Sequence, residues 1–147
     1  EKLAGKSIAK LFEEEGENSF RAVETQVLKE VGQRHSLVVA TGGGVVTRSE
    51  NWGVLHQGIV IWIDPGRDRL LKRLKADKEI RPLLSSSDPT ETFDVVFSER
   101  QELYSEADLH FLAGDESPQE IALSILERLQ LIINSAEDQS ESQTIEE

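Results

Sequence analysis

Ser36-Leu37-Val38-Val39-Ala40-Thr41-Gly42-Gly43-Gly44-Val45-Val46 is the stretch around which the rest of the chain is organised. An apolar, β-branched run stops at three consecutive glycines, and a polar segment opens at Ser49. The pattern predicts a buried strand, a tight loop and the approach to a helix. Three glycines remove every Cβ from the loop, so backbone N–H groups can come close to a ligand. In open α/β sheets, ligands bind just beyond the carboxyl ends of the strands. The competing reading is a plain strand–helix turn, although a turn needs one glycine rather than three.

Working outward, Ser49 to Gln57 reads as a short helix carrying Trp52 and Leu55. Ile59-Val60-Ile61-Trp62-Ile63 is a second apolar run, predicted as a buried parallel strand that ends at Asp64-Pro65-Gly66. Arg67 to Ala76 returns to helical spacing through Leu70, Leu71 and Leu74. Strands alternating with helices imply right-handed crossovers and a parallel sheet, hence an α/β class. Asp88-Pro89-Thr90-Glu91 opens a helix that reaches about Ser105. Leu109-His110-Phe111-Leu112 suggests a last strand, and Ser117-Pro118-Gln119-Glu120 is a capping box ahead of an amphipathic helix. Upstream, Ser7 caps a short helix ended by Gly16. A second helix, Asn18 to Val31, carries the stripe Phe20, Val23, Val27, Leu28 and Val31 and stops at Gly32.

The 147 residues form one domain over 1–134, and the Ser/Glu/Gln/Asp-rich segment 135–147 is expected to be an acidic disordered tail. A net charge of −12 argues against a nucleic-acid partner. The chain has no Cys, and its three His are far apart, so neither thiolate chemistry nor a metal-ligand spacing is present. No apolar run is long enough to span a bilayer and no signal peptide is visible. There is no Met, so Glu1 is expected not to be the translated start.

Four features are candidates for chemistry. Gly5-Lys6-Ser7 could end a phosphate-binding G-x-x-x-x-G-K-[ST] loop, but no strand precedes it and a helix cap is the better reading. Arg21 beside the stripe of the second helix could pair with Glu17 or Glu24 on the surface. Arg100 falls on the inward face of its helix, and a buried charge needs an anionic partner, either a protein carboxylate or a ligand. The basic segment Lys75 to Asp88 is either a solvated loop or a lid over an anionic ligand.

Taken together, Gly5-Lys6-Ser7-Ile8 to Phe12, Gly16-Glu17 with Phe20-Arg21 and Glu24, and Ala40-Thr41-Gly42-Gly43-Gly44 resemble shikimate kinase. So do Asn51-Trp52, Gly58 to Asp64, Arg81-Pro82-Leu83-Leu84 and Arg100-x-x-Leu103-Tyr104-x-Glu106-Ala107-Asp108. The resemblance runs along roughly residues 5 to 130, and the wording around Asn51-Trp52 is most similar to cyanobacterial and plant members. It implies a nucleoside-monophosphate-kinase-like P-loop α/β sandwich, with a parallel sheet flanked by helices. It also implies phosphoryl transfer from ATP to the 3-hydroxyl of shikimate, with Mg²⁺, in aromatic amino-acid (chorismate) biosynthesis. The compartment implied is the chloroplast stroma if the source is a plant and the cytoplasm otherwise.

By the same resemblance, Arg21 and Arg100 hold the shikimate carboxylate, and a planar guanidinium can bond a carboxylate bidentately. Gly42, Gly43 and Gly44 meet shikimate with their backbone. Arg81 is the lid arginine that neutralises developing phosphoryl charge. Arg73 is the nearest candidate for stacking on adenine, at a spacing that departs from the family. The family's P-loop, its Mg²⁺-binding hydroxyl and an acidic pair fall by spacing ahead of Glu1. The chain as given is therefore expected to be an N-terminally truncated, weak or inactive kinase. The alternatives are a non-catalytic, shikimate-kinase-like binding or regulatory protein, and a kinase for another small substrate such as gluconate.

Overall fold

The computed structural model describes residues 5–76 and 89–144, with 89 and 135–144 as backbone only. Its elements are α1 (Ile8–Gly32), a 3₁₀ turn (Val45–Thr47), α2 (Ser49–Leu55), β1 (Ile61–Asp64), α3 (Arg67–Ala76), α4 (Pro89–Tyr104), β2 (Leu109–Leu112) and α5 (Pro118–Thr144). Two compact units emerge: residues up to Trp62 with Arg67–His110, and Ile63–Gly66 with the chain from Phe111 onward.

The two helices predicted before Gly32 form one element broken at Gly16, whose φ of 78° and ψ of 175° lie outside the helical range. No neighbour crowds a Cβ at Gly16, so its left-handed φ is what asks for glycine there. The break lets the Phe12 and Phe20 rings meet with centroids 4.7 Å apart. Ser7 is the N-cap, its side chain accepting from the Lys10 N–H. Gly32 closes the helix for a different reason. A Cβ there would come within 2.5 Å of Val54 Cγ1, so glycine lets α2 approach the end of α1.

The buried strand predicted at Ser36–Ala40 is not observed. Residues 37–42 carry no strand, and Leu37, Val38 and Val39 are exposed. A strand needs a neighbouring chain to take its N–H and C=O groups. Among the described residues the sheet consists of β1 and β2 alone, and neither pairs with this segment. The second predicted strand does form, two residues later than its apolar run begins, and Ile59 and Ile63 are exposed rather than buried.

β1 and β2 run parallel, as the alternation of strands and helices predicts. The Leu109 N–H donates to the Val60 carbonyl at 3.1 Å in the first unit, and the Ala113 N–H to the Asp64 carbonyl at 2.8 Å in the second. The donor number rises with the acceptor number, which is the parallel register. The α/β class is therefore as expected.

In the first unit the core gathers on Val45, Val46 and Trp52, with Leu28, Leu55, Val60, Leu103 and Tyr104 packed against them. Arg67 grips Asp94 with two hydrogen bonds of 2.7 Å each, tying α3 to α4. In the second unit Phe111, Ala113 and Ile125 are buried, and the Arg128 guanidinium lies 4.9 Å over the Phe111 ring. Ser117 and Glu120 form the predicted reciprocal cap: the Ser117 N–H donates to Glu120 at 2.8 Å and the Glu120 N–H to Ser117 Oγ at 3.3 Å. α5 continues past Ser135 to Thr144, so the expected tail boundary is not an element boundary. That stretch contains no Gly or Pro to stop a helix. Lys75 and Ala76 belong to α3, whereas the rest of the expected lid, residues 77–88 with Arg81 and the cap Asp88, lies outside the described residues.

Two stability measurements follow from these contacts. Gly32→Ala should lower unfolding free energy in urea by about 1–2 kcal/mol, because overpacking against Val54 outweighs the helix propensity gained. An unchanged midpoint would show that the contact relaxes at no cost. Hydrogen bonding to Arg67 holds the Asp94 carboxyl below its ordinary range, as the Ser117 backbone and side-chain bonds do for Glu120. A depressed carboxylate stabilises the fold above its unfolded pKa of ~4, and that contribution is lost as pH falls through the folded value. Asp94→Asn should therefore flatten the acid limb of the stability curve, and an acid limb equal to the wild type's would remove the Arg67–Asp94 pair from the account.

Candidate functional site

The glycine loop brings together residues that the sequence spreads over eighty positions. On one flank α1 presents Arg21, which is 7% exposed. Its Nη1 donates to Glu24 at 2.7 Å, and its Nε and Nη2 donate to Glu17 at 3.3 and 3.2 Å. Both predicted surface pairings therefore exist, but the guanidinium is buried and faces the loop. A Cβ on Gly44 would overlap its Cζ, Nη1 and Nη2. Three of the five guanidinium N–H donors are engaged, leaving two for another acceptor. Gly42 lies beside the same cluster, its hypothetical Cβ 3.5 Å from Glu24 Oε1.

On the other flank α4 presents Arg100 and Tyr104. A Cβ on Gly43 would come within 2.6 Å of Tyr104 Oη and 3.8 Å of Arg100 Nη1. Arg100 is half-buried, and among the described residues no carboxylate pairs with it.

The loop backbone is polarised. The Gly42 carbonyl accepts from the Val45 N–H at 3.1 Å. Tyr104 Oη donates to the Gly43 carbonyl at 2.9 Å, Thr47 Oγ1 to Gly44 at 2.7 Å, Asn51 Nδ2 to Val45 at 2.7 Å, and Trp52 Nε1 to Val46 at 3.2 Å. The carbonyls from Gly42 to Val46 are thus satisfied within the protein. Among the described residues the Gly43 and Gly44 N–H groups have no acceptor. Two backbone donors without acceptors thus lie next to two guanidinium groups, a donor set of the kind that suits an anion.

Sequence reasoning misses Tyr104, Thr47, Asn51 and Trp52 as site residues. Each reads as an ordinary helix or core residue, and only the donor-bearing tip of Tyr104, four residues after Arg100, offers a signal. Arg73 is exposed on α3 and nothing described ties it to the loop. Lys6 is held by Glu14 and Glu15 at 2.8 and 2.7 Å, and these hydrogen bonds push its pKa up to about 12. Gly5-Lys6-Ser7 is therefore a helix start whose lysine serves carboxylates, as the cap reading has it. A cavity of about 230 Å³ beside the loop is walled by Phe20, Val23, Val27 and Val39. Its apolar lining suits a polyhydroxy acid poorly, and neither Arg21 nor Arg100 lines it.

The shikimate kinase family profile matches residues 1–130. The shikimate kinase of Prochlorococcus marinus strain SARG is 59% identical over 139 residues, covering 94% of this chain and 73% of that protein. That of strain MIT 9313 is 60% identical over 134 residues, covering 91% and 70%. Among solved structures, a shikimate kinase from Acinetobacter baumannii in complex with shikimate superposes with a TM-score of 0.79 at 34% identity, covering 91% of this chain and 74% of the other. One from Aquifex aeolicus gives 0.72 at 34% identity, covering 88% and 75%. The glycine loop with its two flanking arginines, the parallel α/β architecture and these likenesses agree, and the chain belongs to the shikimate kinase family.

Proposed function

We propose that this protein transfers a phosphoryl group from ATP to the 3-hydroxyl of shikimate, with the acceptor held on the glycine loop. The observation that carries the reading is Arg100, half-buried, close to Gly43 and without a carboxylate among the described residues. The substrate carboxylate supplies the missing counter-ion. Arg21 offers its two remaining N–H donors from the opposite flank, and the free N–H groups of Gly43 and Gly44 hold an oxygen between them. Binding in this way fixes the acceptor's orientation, and in phosphoryl transfer positioning is most of what the protein supplies. Glu17 and Glu24 keep Arg21 in place, so the guanidinium need not be reorganised when the ligand arrives.

The donor side rests on the family. Arg81 is assigned to the transferring phosphoryl charge and Arg73 to the nucleotide. Among the described residues no three His, Asp or Glu stand together, and Mg²⁺, which the family implies, would be held by one or two oxygen ligands together with the nucleotide phosphates. A carboxylate clamp favours shikimate over gluconate less strongly than the family match does, and the match also favours a kinase over a non-catalytic binder. The relatives named above are bacterial, which supports a cytoplasmic setting over a chloroplast. No helix among the described residues is long and apolar enough to cross a membrane.

The test couples ADP release to shikimate with the full-length gene product. Arg100→Ala should raise the shikimate KM steeply, by about 2–4 kcal/mol of lost binding, with the ATP KM little changed. An unchanged shikimate KM would remove the carboxylate clamp. Gly44→Ala should have the same selectivity, since its Cβ displaces the Arg21 guanidinium; wild-type shikimate affinity in that variant would take Arg21 out of the pocket.

A further inference from the structure

Of the four side chains that hold the carbonyls of residues 43–46, three act locally. Thr47 is three residues from its acceptor, and Asn51 and Trp52 are six from theirs. Tyr104 is 61 residues from Gly43. Among the described residues it is therefore the long-range member of the set, tying the loop to α4. Arg100 sits on the same helix four residues earlier, so both project from one face. α4 thus delivers a charge to the pocket and an anchor to the loop from adjacent turns.

The phenol is itself held. The Trp62 ring lies 5.5 Å from it, centroid to centroid, and Trp62 is stacked on His110 at 3.9 Å with the planes 7° apart. Tyr104 also packs against the Val45–Val46–Trp52 core. Its hydroxyl reaches Gly43 because no side chain stands there; a Cβ would approach it to 2.6 Å. The Gly43 carbonyl and the Gly44 N–H belong to one planar peptide unit, so fixing the first fixes the direction of the second.

We infer that Tyr104 is a positioning residue for the acceptor site: through the Gly43 carbonyl it fixes the direction of the Gly44 N–H, on the glycine that lies against the Arg21 guanidinium. The inference rests on the shikimate reading above. It assigns Tyr104 no contact with the substrate. It predicts that the phenolic hydroxyl, rather than the ring, tunes acceptor affinity.

Tyr104→Phe keeps the ring and deletes the hydroxyl. Shikimate affinity, measured by calorimetry on the full chain, should fall about fivefold, the effect of one neutral hydrogen bond. Affinity for a non-hydrolysable ATP analogue should not change. A merely structural tyrosine would lower both affinities along with the melting temperature, and that result overturns the inference. So does shikimate affinity within about twofold of wild type while Arg100→Ala loses binding. If Arg100→Ala also binds normally, the acceptor-site reading itself falls and this inference with it. A second measurement covers poor folding of single variants. Gly43→Ala should cost less shikimate affinity when combined with Tyr104→Phe than in wild type, because the atom it strikes is gone. Equal costs in the two backgrounds overturn the inference.

Discussion

The approach of the Arg21 guanidinium to the Cα of Gly44 is the constraint from which the candidate site follows. A side chain at position 44 would occupy the space of the guanidinium. With glycine there, a buried arginine can lie flat against a backbone that has free N–H donors. A buried charge is tolerated only when it is paired, and Glu17 and Glu24 supply that pairing from the preceding and following turns of α1. The cation is thereby fixed in a position from which it can meet a ligand without first being freed from solvent.

The same logic runs in reverse on α4. Arg100 is half-buried beside Gly43 and has no carboxylate of its own among the described residues. The two flanks differ: Arg21 is paired with protein carboxylates, and Arg100 has none among the described residues. The loop between them turns its carbonyls toward Tyr104, Thr47, Asn51 and Trp52, and among the described residues the Gly43 and Gly44 N–H groups have no acceptor. An oriented set of donors of this kind is what anion recognition needs.

Stability and function share residues here. Val45 and Val46 follow the glycines directly and form the core with Trp52, so the loop's exit is clamped by the most buried cluster of its unit. The Trp52 indole contributes packing area and a hydrogen bond to the loop at once. The Arg67–Asp94 pair adds a restraint on α4, the helix that carries Arg100 and Tyr104.

Much of this is legible in the sequence because it is local. Glycine at 42–44, the capping box at Ser117 and Glu120, the helix over Arg67–Ala76 and the strand over Leu109–Leu112 each follow from a few neighbouring residues. The resemblance carries Arg21 and Arg100 to one site although spacing alone could not. The strand expected at Ser36–Ala40 does not form because an apolar run specifies willingness to pair, while pairing requires a neighbouring backbone. The tyrosine and the side chains pinning the loop carbonyls are hidden because a donor's acceptor is decided by folding, sometimes sixty residues away. Sequence by itself determined the α/β class, the family and the residues that bear charge and lack Cβ atoms. Only tertiary structure decided which carbonyls are satisfied, that Arg21 already has its counter-ions and that Arg100 has none among the described residues, since those depend on distances between elements that no local pattern encodes.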